Sequence, residues 1–263
     1  MGTPPLSILM PIYNGERFLK EAIDSLLNQT FRDFEIVIVN DASTDNSLKL
    51  VKSYKDKRIR LINHKRNLGF IGALNSGLEN IKTKYVACMN QDDISHPKRF
   101  EKEFNFLENH LEIFLVGSSA ICIDEKGKEI CKFRKYNHPN ILAWRLRRSN
   151  GIIYPSIMFR NKEVFFDRLH EYGLYYRLIK RGEKLTNLQD FLVKYRVHSN
   201  ALSSYDKENQ TKLMKEVIIQ FKYLRGGPSI LKKIIYSVFV LMHHFRTKRE
   251  KKRSLFGKEN LVQ

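Results

Sequence analysis

The first 123 residues alternate between short apolar segments and amphipathic ones, and this alternation constrains the fold more than any other feature. Five segments are apolar and rich in β-branched residues, which predicts strands, and four segments between them have apolar residues at helical spacing. The predicted strands are 6–10, 34–40, 59–63, 85–90 and 114–123, and the predicted helices are 16–29, 42–54, 69–80 and 97–109. This order is typical of a parallel sheet covered by helices on both faces.

Polar side chains follow three of the predicted strands, where sheets of this class bind their ligands. Tyr13 follows the first strand, Asp41 the second, and the adjacent Asp92 and Asp93 the fourth. We expect the second and fourth strands to be neighbours, which brings the acids together. Like charges repel at short range unless a cation or hydrogen-bond donors intervene. A divalent cation shared with phosphate oxygens is one interpretation, and capping of the helix that opens at Pro97 is the other.

The charge balance narrows the classes of partner. The chain has 47 Lys and Arg residues against 28 Asp and Glu residues, a net charge of +19, which indicates an anionic partner. No G-x-G-x-x-G follows the first strand and no G-x-x-x-x-G-K-[ST] occurs, so the dinucleotide and P-loop motifs are both missing. No nucleic-acid motif is present, and we expect no nucleic-acid partner. Cys88, Cys122 and Cys131 show no CxxC spacing, which argues against a zinc site and a disulfide framework.

Three motifs in order, residues 6–47, "NLGFIGALNSGL" and "YVACMNQDDISHPKRF", closely resemble the family 2 glycosyltransferases of bacterial polysaccharide assembly. The resemblance implies a GT-A fold, a Rossmann-like mostly parallel sheet flanked by helices. It implies transfer of a sugar from a nucleoside diphosphate donor, usually UDP-linked, with inversion at the anomeric carbon. The acceptor would be a saccharide or a lipid-linked molecule, and the cofactor Mn²⁺ or Mg²⁺.

The resemblance also implies roles for the residues at the strand ends. Pro11 and Tyr13 would border the uracil, and Asp41 would bind the base. Asp92 would face the ribose or the metal shell. Asp93 would ligate the metal between the diphosphate oxygens, where a dication acts as a Lewis acid on the leaving group.

The general base expected of the family is the Asp of a Glu-Asp pair that opens a helix, and here the pair is His170 and Glu171. Glu171 would be that base, or else an ordinary first-turn glutamate stabilised by the helix dipole. His198, in "YRVHSNALS", would complete the metal shell or contact the diphosphate, or else serve as an ordinary core or loop residue. The family usually has about ten more residues before the base and an arginine where this chain has Leu74. A degenerate relative that binds nucleotide sugar without transferring it is therefore the alternative.

The domain prediction places the glycosyltransferase in residues 1–205, with a nucleotide-binding half, 1–110, and an acceptor half, 111–205. Residues 206–263 form a predicted helical basic tail. Its apolar run, 234–242, is too short to span a bilayer, and "RTKREKKR" follows it at 246–253. The tail predicts either an interfacial helix on anionic lipid or a helix packed on the domain. Without a signal peptide pattern, we expect a cytoplasmic protein, peripheral at the inner face of the bacterial plasma membrane.

Overall fold

The computed structural model of the chain describes residues 2–146, 151–167 and 169–198. The strands are β1 Leu6–Ile12, β2 Phe34–Asn40, β3 Ile59–Asn63, β4 Tyr85–Cys88, β5 Ile94–Ser95, β6 Ile113–Ile123, β7 Glu129–Phe133, β8 Met158–Arg160 and β9 Lys184–Arg196. The helices are α1 Glu16–Leu27, α2 Ser47–Ser53, α3 Gly69–Glu79, α4 Arg99–Asn109, α5 Pro139–Leu146 and α6 His170–Lys180. Among these described helices none is both long and apolar enough to cross a bilayer. The tail predicted for 206–263 lies outside the described residues.

The first half of the sheet is parallel, as the alternation of strands and helices predicts. Its strand order is β3-β2-β1-β4, and every pairing within it is parallel. All seven residues of β1 are buried, because helices cover both faces. The expectation that β2 and β4 are neighbours is wrong, since β1 lies between them. Their carboxyl ends nevertheless meet at one edge of the sheet, and this edge carries the polar residues.

The second half of the sheet is mixed. β8 runs antiparallel to both β4 and β6, and β9 lies between β6 and β5, parallel to the first and antiparallel to the second. β7 pairs with β6 as a hairpin whose turn contains Gly127 at a φ of 82°. The α/β architecture expected from the sequence is confirmed. The sequence pattern does not predict β5 and β8, because two or three residues show no periodicity.

The core lies on both faces of the sheet, and the alternation of side chains along β1 illustrates why. Ile8 and Met10 pack into a cluster with residues of α1 and α4. Leu9, between them, packs into the opposite cluster with residues of α3 and α6. Each such buried aliphatic side chain stabilises the fold by roughly 1.5–3 kcal/mol. Both faces of the central strands are therefore fixed, and the loops at the carboxyl edge leave the sheet from defined positions.

A buried ion pair fixes the exit of the chain from β4. The Arg99 and Glu103 side chains are both fully buried, and Arg99 Nε donates to Glu103 Oε1 at 3.0 Å. Arg99 Nη2 also donates to the carbonyl oxygens of Cys88, at 3.0 Å, and Ile157, at 3.3 Å. α4 is thereby joined to the end of β4 and to the segment that leads into β8. This contact positions the loop that contains the paired aspartates.

Replacing Arg99 by Met should lower the free energy of unfolding by roughly 3–5 kcal/mol, because it leaves the Glu103 carboxyl buried without its partner. Urea denaturation at neutral pH measures the change. The matched control is Lys20→Met, which removes an exposed pair with Asp24 and should cost less than about 0.5 kcal/mol. Equal losses for the two variants would show that the buried pair has no special role in stability.

Candidate active site

A glutamine side chain joins the loops that follow β1 and β4. Gln91 Oε1 accepts a hydrogen bond from the backbone N–H of Tyr13 at 2.8 Å, and Gln91 Nε2 donates to the carbonyl oxygen of Tyr13 at 3.0 Å. A Cβ at Gly15 would lie 2.4 Å from Gln91 Oε1, so a larger residue there would displace the Gln91 side chain from this contact. Pro11 is buried in β1, and Tyr13 is 45% exposed. The loop is thus held by its backbone, and the Tyr13 ring lies at the surface of the carboxyl edge.

Asp41 is held in one orientation directly after β2. Asp41 is buried, and its Oδ1 accepts hydrogen bonds from His64 Nδ1 and from the backbone N–H of Leu68, each at 2.8 Å. His64 Nε2 in turn lies 2.8 Å from Ser76 Oγ on α3. Among the described residues, no hydrogen bond reaches Asp41 Oδ2. His64 fixes the Asp41 carboxylate and leaves its Oδ2 open to a hydrogen-bond donor of a ligand. The sequence alone gives no signal for this role of His64.

Asp93 points into the protein. It is 1% exposed, and both carboxylate oxygens accept hydrogen bonds, Oδ1 from the backbone N–H of Arg196 at 2.8 Å and Oδ2 from Asn90 Nδ2 at 3.0 Å. Burial, and next the negative charge of Asp92, raise the pKa of Asp93 well above its usual value. This carboxyl group joins the loop after β4 to the end of β9.

Asp92 has a different environment. Its side chain is 19% exposed, and its Oδ2 lies 2.9 Å from Nε2 of His198. The His198 ring packs against Phe18 with 5.0 Å between ring centroids. A carboxylate oxygen and an imidazole nitrogen are ligand types of Mn²⁺ and related ions. Among the described residues, no group of three or more His, Cys, Asp or Glu side chains is arranged to hold a metal ion. A cation here would need further ligands from a substrate or from water.

The buried guanidinium of Arg196 organises this part of the edge. Its Nε donates to the carbonyl oxygen of Asp92 at 2.9 Å. Its Nη1 donates to the carbonyl oxygens of Asp124 and Glu125, each at 3.2 Å, and its Nη2 pairs with Glu21. Sequence reasoning missed this residue. It lies two positions before His198 in the same motif, so the motif itself was the available signal.

Glu171 lies in the first turn of α6 and is half-buried. Burial raises the pKa of Glu171 to about 7, and a hydrogen bond with the helix backbone opposes the shift. The His170 ring stacks on Phe70, at the start of α3, with 6.0 Å between centroids. The residue before α3, Leu68, donates to Asp41. Phe70 and Leu68 therefore connect the first turn of α6 to the loop that holds Asp41.

An open depression of about 450 Å³ lies elsewhere on the surface. Its walls come from the segment after β8 and from α6, and its lining residues are Glu163, Val164, Phe165, Arg177, Lys180 and Arg181. None of the predicted site residues lines this depression. It is therefore not part of the candidate site at the carboxyl edge.

Comparison with known sequences finds relatives that are all described as glycosyltransferases. The family model described as glycosyl transferase family 2 matches residues 7–162. The putative glycosyltransferase EpsE of Bacillus subtilis is 30% identical over 98% of this chain and 98% of its own length. The amylovoran biosynthesis glycosyltransferase AmsE of Erwinia amylovora is 32% identical over 84% of this chain and 89% of its own length. An uncharacterized glycosyltransferase of Methanocaldococcus jannaschii is 34% identical over 79% of this chain and 77% of its own length.

Solved structures share the fold at low sequence identity. S. aureus TarS 1-349 in complex with UDP-GlcNAc matches 83% of this chain and 66% of its own with a TM-score of 0.68 and 17% identity. The mannosyltransferase PcManGT of Pyrobaculum calidifontis, in complex with GDP-Man and Mn²⁺, matches 87% of this chain and 67% of its own with a TM-score of 0.64 and 15% identity. The family model covers more than half of the chain, and the solved neighbours share its fold. The chain therefore belongs to glycosyl transferase family 2 and has the GT-A fold.

Proposed function

We propose that this glycosyltransferase is an inverting, metal-dependent enzyme that transfers a hexose from a UDP-sugar to a saccharide or lipid-linked acceptor in cell-surface polysaccharide assembly. The pairing of Asp92 with His198 at the carboxyl edge is the observation that carries the proposal. TarS was solved with UDP-GlcNAc, and PcManGT with GDP-Man and Mn²⁺, which supports a nucleotide-sugar donor and a divalent cation.

The base of the donor would lie against the loops after β1 and β2. Asp41 Oδ2 would accept the base N–H, because Oδ1 already accepts two hydrogen bonds. The Tyr13 ring and Pro11 would border the base, as the family resemblance predicts. His64 would act as a positioning residue, since its bond to Asp41 fixes the carboxylate without touching the ligand.

The metal ligands we propose are Asp92 and His198. The sequence-based prediction made Asp93 and His198 the metal ligands and placed Asp92 at the ribose or in the metal shell, but both oxygens of Asp93 accept hydrogen bonds from the protein. Two protein ligands completed by diphosphate oxygens fit the coordination habits of Mg²⁺ and Mn²⁺, and an imidazole ligand favours Mn²⁺. When bound, the cation would neutralise charge that develops on the leaving diphosphate. Asp93 would hold the loop in place through Arg196 and Asn90.

Glu171 is the proposed general base. A carboxyl group with a pKa of about 7 is substantially ionised at neutral pH and still accepts a proton effectively. It would take the proton of the acceptor hydroxyl as that oxygen attacks the sugar. The His170–Phe70 stack would hold the first turn of α6 near the loop of Asp41.

The location and the domain halves remain proposals. We assign donor binding to residues 1–110 and acceptor binding to residues 111–205. The apolar run and basic cluster of the tail, outside the described residues, support binding to an anionic membrane surface from the cytoplasmic side.

A nucleotide-sugar-binding relative without transfer activity is the second candidate. The connection between β8 and α6 is short, since only residues 161–169 separate them. In addition, Leu74 is fully buried in the core, so its position offers no cation to the diphosphate.

Slow hydrolysis of a UDP-sugar with Mn²⁺ would support the enzyme, and UDP binding without hydrolysis or transfer would support the binder.

Replacing Asp92 by Asn should weaken UDP binding in the presence of Mn²⁺ by at least ~10-fold, because the ligand loses its negative charge. Asp93→Asn should have a smaller effect, since the amide still offers an acceptor oxygen to the N–H of Arg196. Isothermal titration calorimetry with UDP, once with Mn²⁺ and once with EDTA present, measures the UDP affinity of both variants. Asp190→Asn, an exposed acid paired with Lys102, is the control. Full loss in the Asp93 variant with none in the Asp92 variant would restore the original assignment.

Replacing Glu171 by Gln should leave UDP affinity with Mn²⁺ unchanged and reduce transfer by roughly 10²–10⁴-fold, since the base is lost. In the parent protein, kcat should rise with pH and level off above about 7, following the pKa of Glu171. Steady-state kinetics with UDP-sugars and oligosaccharide acceptors tests both statements. Transfer at the parental rate would remove Glu171 from the mechanism.

Glu171→Gln should also gain stability relative to the parent as pH rises from 4.5 to about 7. The folded pKa is raised, so the folded state of the parent holds the proton more tightly and loses stability as Glu171 ionises across this window. The variant cannot ionise there and escapes the loss. Urea denaturation of both proteins at about pH 4, 6 and 8, which lie below, within and above this window, measures the difference in stability. Parallel stability curves would contradict the raised pKa.

A further inference from the structure

Two of the three cysteines lie opposite each other on neighbouring strands. Cys122 of β6 is the register partner of Cys131 of β7, and the strands are antiparallel. Opposed residues of such a pair have Cα atoms about 4.5–5.5 Å apart, with both side chains on one face of the sheet. A disulfide requires a Cα separation of about 4.4–6.8 Å. The backbone spacing expected for this pair therefore lies within the range that a disulfide requires.

The two thiols have different access to solvent. Cys122 is fully buried, whereas Cys131 is exposed, as is the whole of β7. Burial, and next the neighbouring Cys131 thiol, raise the pKa of Cys122 to about 12. The two sulfur groups are thus close enough to influence each other, and only one of them is open to a reagent from solution. Cys88 is also buried, but it lies in β4, opposite Leu9.

The pair lies beside the segment that supports the candidate site. Cys122 is the register partner of Tyr195 on β9, and the next residue along β9 is Arg196. Arg196 donates to the carbonyl oxygens of Asp124 and Glu125, which directly follow β6. A covalent bond across β6 and β7 would therefore restrain the hairpin that holds the buried guanidinium.

We propose that Cys122 and Cys131 form a reversible disulfide when the protein meets a peroxide. With hydrogen peroxide, the Cys131 sulfur attacks one peroxide oxygen, the O–O bond breaks, and a sulfenic acid and one water are formed. The Cys122 sulfur then displaces the hydroxyl group from Cys131, which leaves as a second water with the Cys122 proton. Two thiols are oxidised and one peroxide is reduced. A dithiol reverses the reaction by exchange. In a reducing compartment such a bond is a redox sensor rather than a structural framework.

The test uses the full-length chain with all its thiols reduced, treated with hydrogen peroxide at low protein concentration. Denaturation and alkylation should then add one label instead of three, and dithiothreitol should restore three labels. Peptide mapping should recover a linked pair that contains Cys122 and Cys131. The Cys88→Ser variant, which has only Cys122 and Cys131, should take up no label after oxidation. The Cys131→Ser variant should still take up two labels, on Cys88 and Cys122.

Other products would overturn the proposal. A sulfinic acid on Cys131 with Cys122 still open to alkylation would show that the buried thiol does not reach its partner. A dimer linked through Cys131 would assign the exposed thiol to contacts between copies. A disulfide that contains Cys88 would contradict the pairing across β6 and β7. The proposal does not depend on the donor or on the metal, so failure of the proposed function leaves it standing.

Discussion

The carboxyl edge of the sheet depends on one buried cation, the guanidinium of Arg196. A buried charge is costly unless its donors are satisfied, and here Nε, Nη1 and Nη2 all have acceptors. These acceptors belong to the loop after β4, the end of β6 and α1. One side chain therefore holds together three segments that are remote in sequence. Because the backbone N–H of the same residue binds Asp93, the cation also fixes which of the paired acids faces inward.

The paired aspartates illustrate how neighbouring groups of one type acquire different chemistry. Asp93 is buried, both of its carboxylate oxygens accept hydrogen bonds from the protein, and its pKa is raised. Asp92 keeps partial access to solvent and faces an imidazole. Burial, and next the charge of Asp92, raise the pKa of Asp93, and the hydrogen bonds that Asp93 accepts from Arg196 and Asn90 oppose this shift. The same principle applies to Asp41, where His64 and Leu68 occupy one oxygen and leave the other.

Residue patterns predicted the parallel half of the sheet because long apolar strands and amphipathic helices have clear periods. They also located Asp41 and the aspartate pair at strand ends. They could not order the strands, and β1 separates β2 from β4. They could not decide whether Asp92 or Asp93 is the better candidate metal ligand either, because two adjacent aspartates differ only in the direction in which their side chains leave the loop. The opposition of Cys122 and Cys131 depends on the register of an exposed hairpin, and no period reveals it. The predicted roles of Pro11, Tyr13 and Glu171 stay predictions.

The position of β9 in the chain has a consequence for biosynthesis. β1 to β4 are complete by residue 88, but Arg196 and His198 come more than one hundred positions later, as the separations of 103 and 106 residues to Asp93 and Asp92 record. A chain growing on the ribosome therefore contains the first four strands well before it contains the partners of its acids. Contacts so distant in sequence form late. The nascent polypeptide should consequently lack the proposed donor site until β9, the last strand of the described residues, has left the exit tunnel.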